Sequence, residues 1–100
     1  MYARLVEVQV APEKVDECIA IARERIAPSA AAQSGFDHGH WFIDRTTGKA
    51  GSITYWTSEA DERASRANIP RLIEALAHIL ASHDVRQETF EVVHEQRPVR

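Results

Sequence analysis

The chain has 100 residues, a net charge of −3, and 44% apolar against 27% charged residues, the balance of one folded domain rather than a disordered segment. The slight acidic excess leaves no basic footprint for nucleic acid and no polybasic patch for a membrane surface. A domain of this length buries about two-thirds of the surface its unfolded chain exposes, so its core holds without staples. The single cysteine, Cys18, excludes an internal disulfide and fits a reducing compartment. MYARLVEVQV at the N-terminus lacks the charged and long apolar regions of a signal peptide. No apolar run approaches the roughly 20 residues of a membrane-spanning helix. A cytoplasmic protein is expected, with one domain over residues 1–96 and a tail over 97–100.

Residues Tyr2–Val10 alternate, with Val6, Val8 and Val10 on one side and Leu5, Glu7 and Gln9 on the other, which predicts a strand. Pro12 suits the first position of a helix, and Glu13 the positive end of its dipole. Val15, Ile19, Ala22 and Ile26 continue at helical spacing beside Cys18. That setting predicts an inert buried thiol. Pro28, lacking a donor, should kink or restart the helix, and Gly35 should stop it.

The stretch Gly35–Trp56 predicts a hairpin turning around Asp44–Lys49, with Gly48 free to take positive φ. Period-two alternation puts Phe36, His38, His40 and Phe42 on one face, and Trp41 and Ile43 on the other. Ile53 and Tyr55 likewise oppose Thr54 and Trp56. Apolar or aromatic groups thus occupy both faces, and both need cover. Ser58 to Asp61 resembles a capping box opening a second helical region. That region should break near Asn68-Ile69-Pro70, resume through Leu72, Leu76, Ile79 and Leu80, and exit at Asp84. The charged run Asp61-Glu62-Arg63 to Arg66 reads as a solvent-facing helix edge. Val85–Glu95 reads as a last strand.

The order β-α-β-β-α-β fits a ferredoxin-like α+β fold, a four-stranded antiparallel sheet with two helices on one face. Two helices cover only one face. An apolar sheet face left open is most economically covered by a second copy of the chain, so a homodimer is expected.

The order of elements, the GF that opens the second strand, and the segment ITYWTSEADERAS resemble the antibiotic biosynthesis monooxygenase family. The resemblance spans nearly the whole chain and implies a dimeric α+β barrel. It also implies, as one possibility, oxidation of small aromatic or quinone-type molecules without metal or flavin. Trp56 matches the quinone-forming members. Ser52 stands where they carry an Asn, Glu62 where they carry a Tyr, and Arg71 or Ile73 at their helix arginine. Haem-degrading members carry an Asn on the first strand, which this chain lacks, and a second Trp where this chain has Ser65. Their helical His ligand has its nearest counterpart in His78.

Among the residues themselves, His38 and His40 are the leading catalytic candidates. Imidazoles at i and i+2 share a strand face about 7 Å apart and titrate near neutral pH, so they could assist deprotonation of a phenolic substrate. Metal ligation would need a third ligand, which His94 could supply if the registers agree. Partly exposed interface histidines satisfied by backbone and water are the plain alternative. Tyr55, Trp56 and Phe42 are candidate substrate-binding residues, although large aromatics in so small a domain more often pack the core or an interface. His78 falls on a polar stripe with Arg71, Glu74 and Ser82, which predicts a solvated face. The expected function is that of a cofactor-independent monooxygenase-like protein acting on a small aromatic or quinone-type molecule. The alternatives are a non-catalytic small-ligand-binding or stress-associated homodimer and, third, haem binding.

Overall fold

Residues 1–99 are described by the computed structural model; Arg100, the end of the expected tail, lies outside them. The strands are β1 (Tyr2–Gln9), β2 (Phe36–Ile43), β3 (Lys49–Trp56) and β4 (Arg86–Glu91). They form one antiparallel sheet in the order β2-β3-β1-β4. The helices are α1 (Val15–Ile21), α2 (Ala27–Ala31), α3 (Glu59–Ser65) and α4 (Ile69–Leu76). Short 3₁₀ turns precede α1 and follow α3 and α4, and a π turn, Ala22–Ile26, joins α1 to α2. Together they make two helical regions packed as one layer over one sheet face, the ferredoxin-like arrangement.

The alternation of β1 has the predicted consequence. Val8 and Val10 are buried on the helix side with Ala50 of β3, against Cys18, Ile21, Ile26, Leu76 and Ile79. Pro28 does not break the first helical segment. The π turn lies just ahead of it, where the Ala27 N–H bonds to Ala22 O five residues back. A proline at 28 would crowd the Glu24 carbonyl in a regular α-helix, and the wider turn relieves that. Gly35 and Gly48 both have φ of +79°, the conformation glycine alone adopts cheaply. At Gly48 an added Cβ would also lie 2.1 Å from Val10 O, so the hairpin turn admits no side chain there.

Several expectations need correction. The first helical region stops at Ala31, four residues before Gly35. A bulge between Phe36 and His38 slips the β2 register by one residue, pairing Phe36 with Trp56 and His38 with Tyr55. Phe36 therefore leaves the histidine face and meets the Trp56 ring edge-on at 5.5 Å. The second helical region ends at Ile79, ahead of Asp84, because Leu80 turns extended and bridges to Val10. β4 is shorter than Val85–Glu95. Its partner β1 begins at Tyr2, which pairs with Glu91, so beyond the Val92 N–H bond to Met1 O no ladder remains. Glu62 is not on a solvent-facing edge but wholly buried. Ser58 does cap α3, accepting the Asp61 N–H at 3.1 Å, but its hydroxyl donates to Asp61 Oδ2 at 2.9 Å. The reciprocal bond of a capping box is thereby replaced.

The other sheet face carries Ala3 and Leu5 of β1, Ile53 and Tyr55 of β3, and Phe90 of β4 in cross-strand register. His38, His40 and Phe42 join them from β2. Among the described residues no helix covers this face, and Phe90 is 50% exposed and Phe42 42%. Among the described residues no helix is long and apolar enough to cross a membrane.

Candidate functional site

Between the sheet and the helices lies a cavity of about 290 Å³, at the small end of the range for ligand sites. Its walls are apolar: Val6 from β1, Trp41 from β2, Ala22 and Ile26 from the π turn, Leu72 and Ile73 from α4. Sequence phase accounts for this. Val6 and Ser52 are Cα partners across β1 and β3, and Ser52 and Trp41 across β3 and β2, so all three point to the helix side. The polar lining consists of Arg4, Arg23, Ser52 and Thr54, with the Cys18 thiol beside them. The Thr54 hydroxyl is committed, accepting the Trp56 indole N–H at 3.0 Å. Burial pushes the Cys18 thiol pKa up, which keeps it protonated and a poor nucleophile.

Beside the cavity sits a buried charge cluster. Arg4 is 3% exposed and Glu62 0%. Arg4 Nη1 donates to Glu62 Oε2 and to Glu62 O, both at 3.4 Å, and to Ser65 Oγ. Ser65 Oγ in turn donates to Glu62 O at 2.6 Å. Arg66 grips the same carboxylate from one turn on, Nε to Oε2 at 2.9 Å and Nη2 to Oε1. The Arg4 guanidinium also lies 5.1 Å from the Trp56 ring centroid, a cation–π distance. Burial alone would raise the Glu62 pKa, but the bonds and charge of Arg66, with the charge of Arg4, outweigh it and hold the carboxyl below the usual range. For Arg4 burial prevails over Glu62, and its pKa falls below the ordinary guanidinium value.

The candidate residues divide between the two sheet faces. His38 and His40 are exposed on the face away from the cavity, their rings 5.8 Å apart and nearly perpendicular. His38 stacks flat on Tyr55 at 4.2 Å, and its Nδ1 lies 2.6 Å from Asp37 Oδ2. Among the described residues no three His, Cys, Asp or Glu side chains come together as metal ligands, so His94 does not complete a site with the histidine pair. Phe42, on the edge strand, lies over Gly51 and contributes to the cavity rim. Trp56 is fully buried behind Arg4. At the helix position of the arginine, Ile73 lines the cavity whereas Arg71 is exposed. Ser52 lines it as well. His78 is exposed and lies 2.8 Å from Glu17.

Arg4 and Glu62 were not legible as site residues, yet each carried a signal. Arg4 shares the phase of Val6, Val8 and Val10, so a charge there had to be buried and paired. Glu62, Ser65 and Ile69 recur at i, i+3 and i+7, the spacing of a buried helix stripe.

The arrangement has relatives. No curated protein of known function matches the chain in sequence. A monooxygenase from the ActVA-Orf6 gene of Streptomyces coelicolor, solved with nanaomycin D, superposes with a TM-score of 0.77 at 16% identity, over 98% of this chain and 92% of that one. SnoaB, a cofactor-independent oxygenase from Streptomyces nogalater solved as a mutant, gives 0.68 at 19% identity over 94% of each chain. NE2512, a protein of unknown function from Nitrosomonas europaea, gives 0.76 at 20% identity over 99% of this chain and 95% of that one. At these identities the likeness is one of fold. The sequence profile of the antibiotic biosynthesis monooxygenase family matches residues 1–84, and the chain belongs to that family.

Proposed function

We propose that the protein is a cofactor-independent monooxygenase-like enzyme acting on a small aromatic or quinone-type molecule bound in the cavity between sheet and helices. The observation that carries this reading is the lining itself, an apolar chamber with a few convergent polar groups in a chain of this family. The described cavity lining contains no carboxylate or imidazole to serve as base. Its cationic and hydroxyl groups instead favour a substrate that has already lost a proton. Arg4 and Arg23 lower the energy of a phenolate or enolate, and the proton passes to solvent. The electron-rich anion then reduces O₂, so that one oxygen atom enters the substrate and the other leaves as water. In this reading His38 and His40 belong to the face covered by a second copy of the chain, and the chemistry does not depend on them.

The missing base also supports a second reading, a ligand-binding homodimer without turnover. Haem fits less well, since no histidine is among the described cavity residues to serve as axial ligand. Oxygen uptake with a 1,8-dihydroxyanthrone separates the first two readings. Wild-type protein is expected to accelerate uptake well above the buffer rate. Ala22→Trp, which fills the cavity, should abolish the acceleration, while His38→Ala/His40→Ala should keep it. Binding of the anthrone with no added uptake would favour the non-catalytic reading.

A further inference from the structure

We propose that the cavity selects an anionic aromatic ligand and seats its carboxylate in the Nε/Nη2 fork of Arg4. This rests on the reading of the cavity as the ligand site and names the class of molecule it takes. Three observations support it.

The first is charge. Arg4 and Arg23 are the charged side chains in the described lining, and no Asp or Glu is among them. Glu62 is divided between the buried Arg4 and Arg66, whose side chain is 42% exposed, so its single charge only partly offsets Arg4. Arg4, with Arg23 at the exposed edge of the cavity, leaves the lining with a positive excess. A bound monoanion balances that excess. An apolar chamber otherwise repels a carboxylate, because desolvation costs more than packing returns unless the charge is paired.

The second is which atoms of Arg4 are in use. Its hydrogen bonds to Glu62 and Ser65 all leave from Nη1. Nε is buried with no hydrogen-bond partner. By guanidinium geometry the Nε–H runs parallel to one Nη2–H, and this pair is the edge that matches the two oxygens of a carboxylate. An unmade bond from a buried cationic donor is costly, and a ligand carboxylate would satisfy it.

The third is preorganisation. Nη1 is held by Glu62 and Ser65, and the guanidinium sits against Trp56, so the free edge has little freedom left to lose on binding. On β3, Ser52 lies two residues from Thr54, the Cα partner of Arg4. Its hydroxyl lines the same cavity and offers a further donor. Trp41, Leu72 and Ile73 provide the apolar surface for the ring system.

Equilibrium dialysis of the full chain against 2-naphthoate, 2-naphthamide and 2-methylnaphthalene tests the assignment. The wild type should prefer the carboxylate over both neutral probes by about tenfold or more, the scale of a bidentate charge-assisted contact. Arg4→Lys keeps the charge but removes the fork. The double variant Arg4→Met/Glu62→Leu removes the buried pair together, a change that generally leaves a fold intact, and so decides the matter if Arg4→Lys does not fold. The preference should shrink several-fold in folded Arg4→Lys, which retains only the charge, and fall to near unity in the double variant, with 2-methylnaphthalene binding unchanged. Preference undiminished in these variants would overturn the role of Arg4. Equal binding of all three probes by the wild type would overturn the anionic class while leaving the cavity reading intact. No binding of any probe would remove both.

Discussion

Glu62→Ala should cost about 3–5 kcal/mol of stability, because it leaves the Arg4 guanidinium buried without its counter-charge. In a domain of this size each kcal/mol shifts the melting temperature by roughly 4–8 °C, so the variant should melt at least about 12 °C below the wild type at equal protein concentration. Arg4→Met/Glu62→Leu should recover most of that loss, since the pair is removed as a unit. Acidification provides an independent check. The folded-state pKa of Glu62 lies below its unfolded value, so its ionisation contributes stability that is present above the unfolded pKa and lost as pH falls through the folded one. Glu62→Gln should therefore flatten the acid limb of the stability profile, measured by urea unfolding across pH. A melting shift under about 3 °C for Glu62→Ala, or an acid limb unchanged in Glu62→Gln, would mean that the cluster does not act as a buried pair.

The second large effect concerns assembly. The open sheet face presents Leu5, Ile53, Tyr55, Phe42 and Phe90 with no helix over them. An apolar surface of that kind is unusual on a monomer, and twofold pairing of two sheets is its simplest cover. Light scattering at micromolar concentration should give twice the 11.3 kDa mass of one chain. Ile53→Asp places a carboxylate at the middle of the face, between Leu5 and His40 in the ladder. Burying it against a second sheet without a partner is costly, so the variant should run at the monomer mass. A wild type of monomer mass would contradict the proposed dimer, and a dimer unaffected by Ile53→Asp would move the interface elsewhere.

The architecture was legible because it rests on periodicities that tertiary context left alone. The period-two pattern in β1 and in the hairpin beyond its bulge, Gly48 at the turn, and Ser58 as the cap of α3 appear as read. What escaped the sequence depends on relations between distant elements. A one-residue bulge at Asp37 moved Phe36 across the sheet, and no local signal marks it. The length of β4 follows from where β1 begins. The pairing of Arg4 with Glu62 joins residues 58 positions apart, and charge in a helix reads as surface until its partner is known. For the site, alternation rightly separated Trp41 from His38 and His40. Which of the two faces meets the helices required the fold, and it turned the histidines away from the cavity.

In the proposed function the ligand enters between sheet and helices rather than binding on the histidine face. Backbone amide chemical shifts on titration with 2-naphthoate test this most directly. The largest changes should fall at Arg4, Ser52, Ala22 and Ile73, with His38, His40 and Tyr55 little moved. Changes centred on His38, His40 and Tyr55, with the cavity residues unmoved, would contradict it.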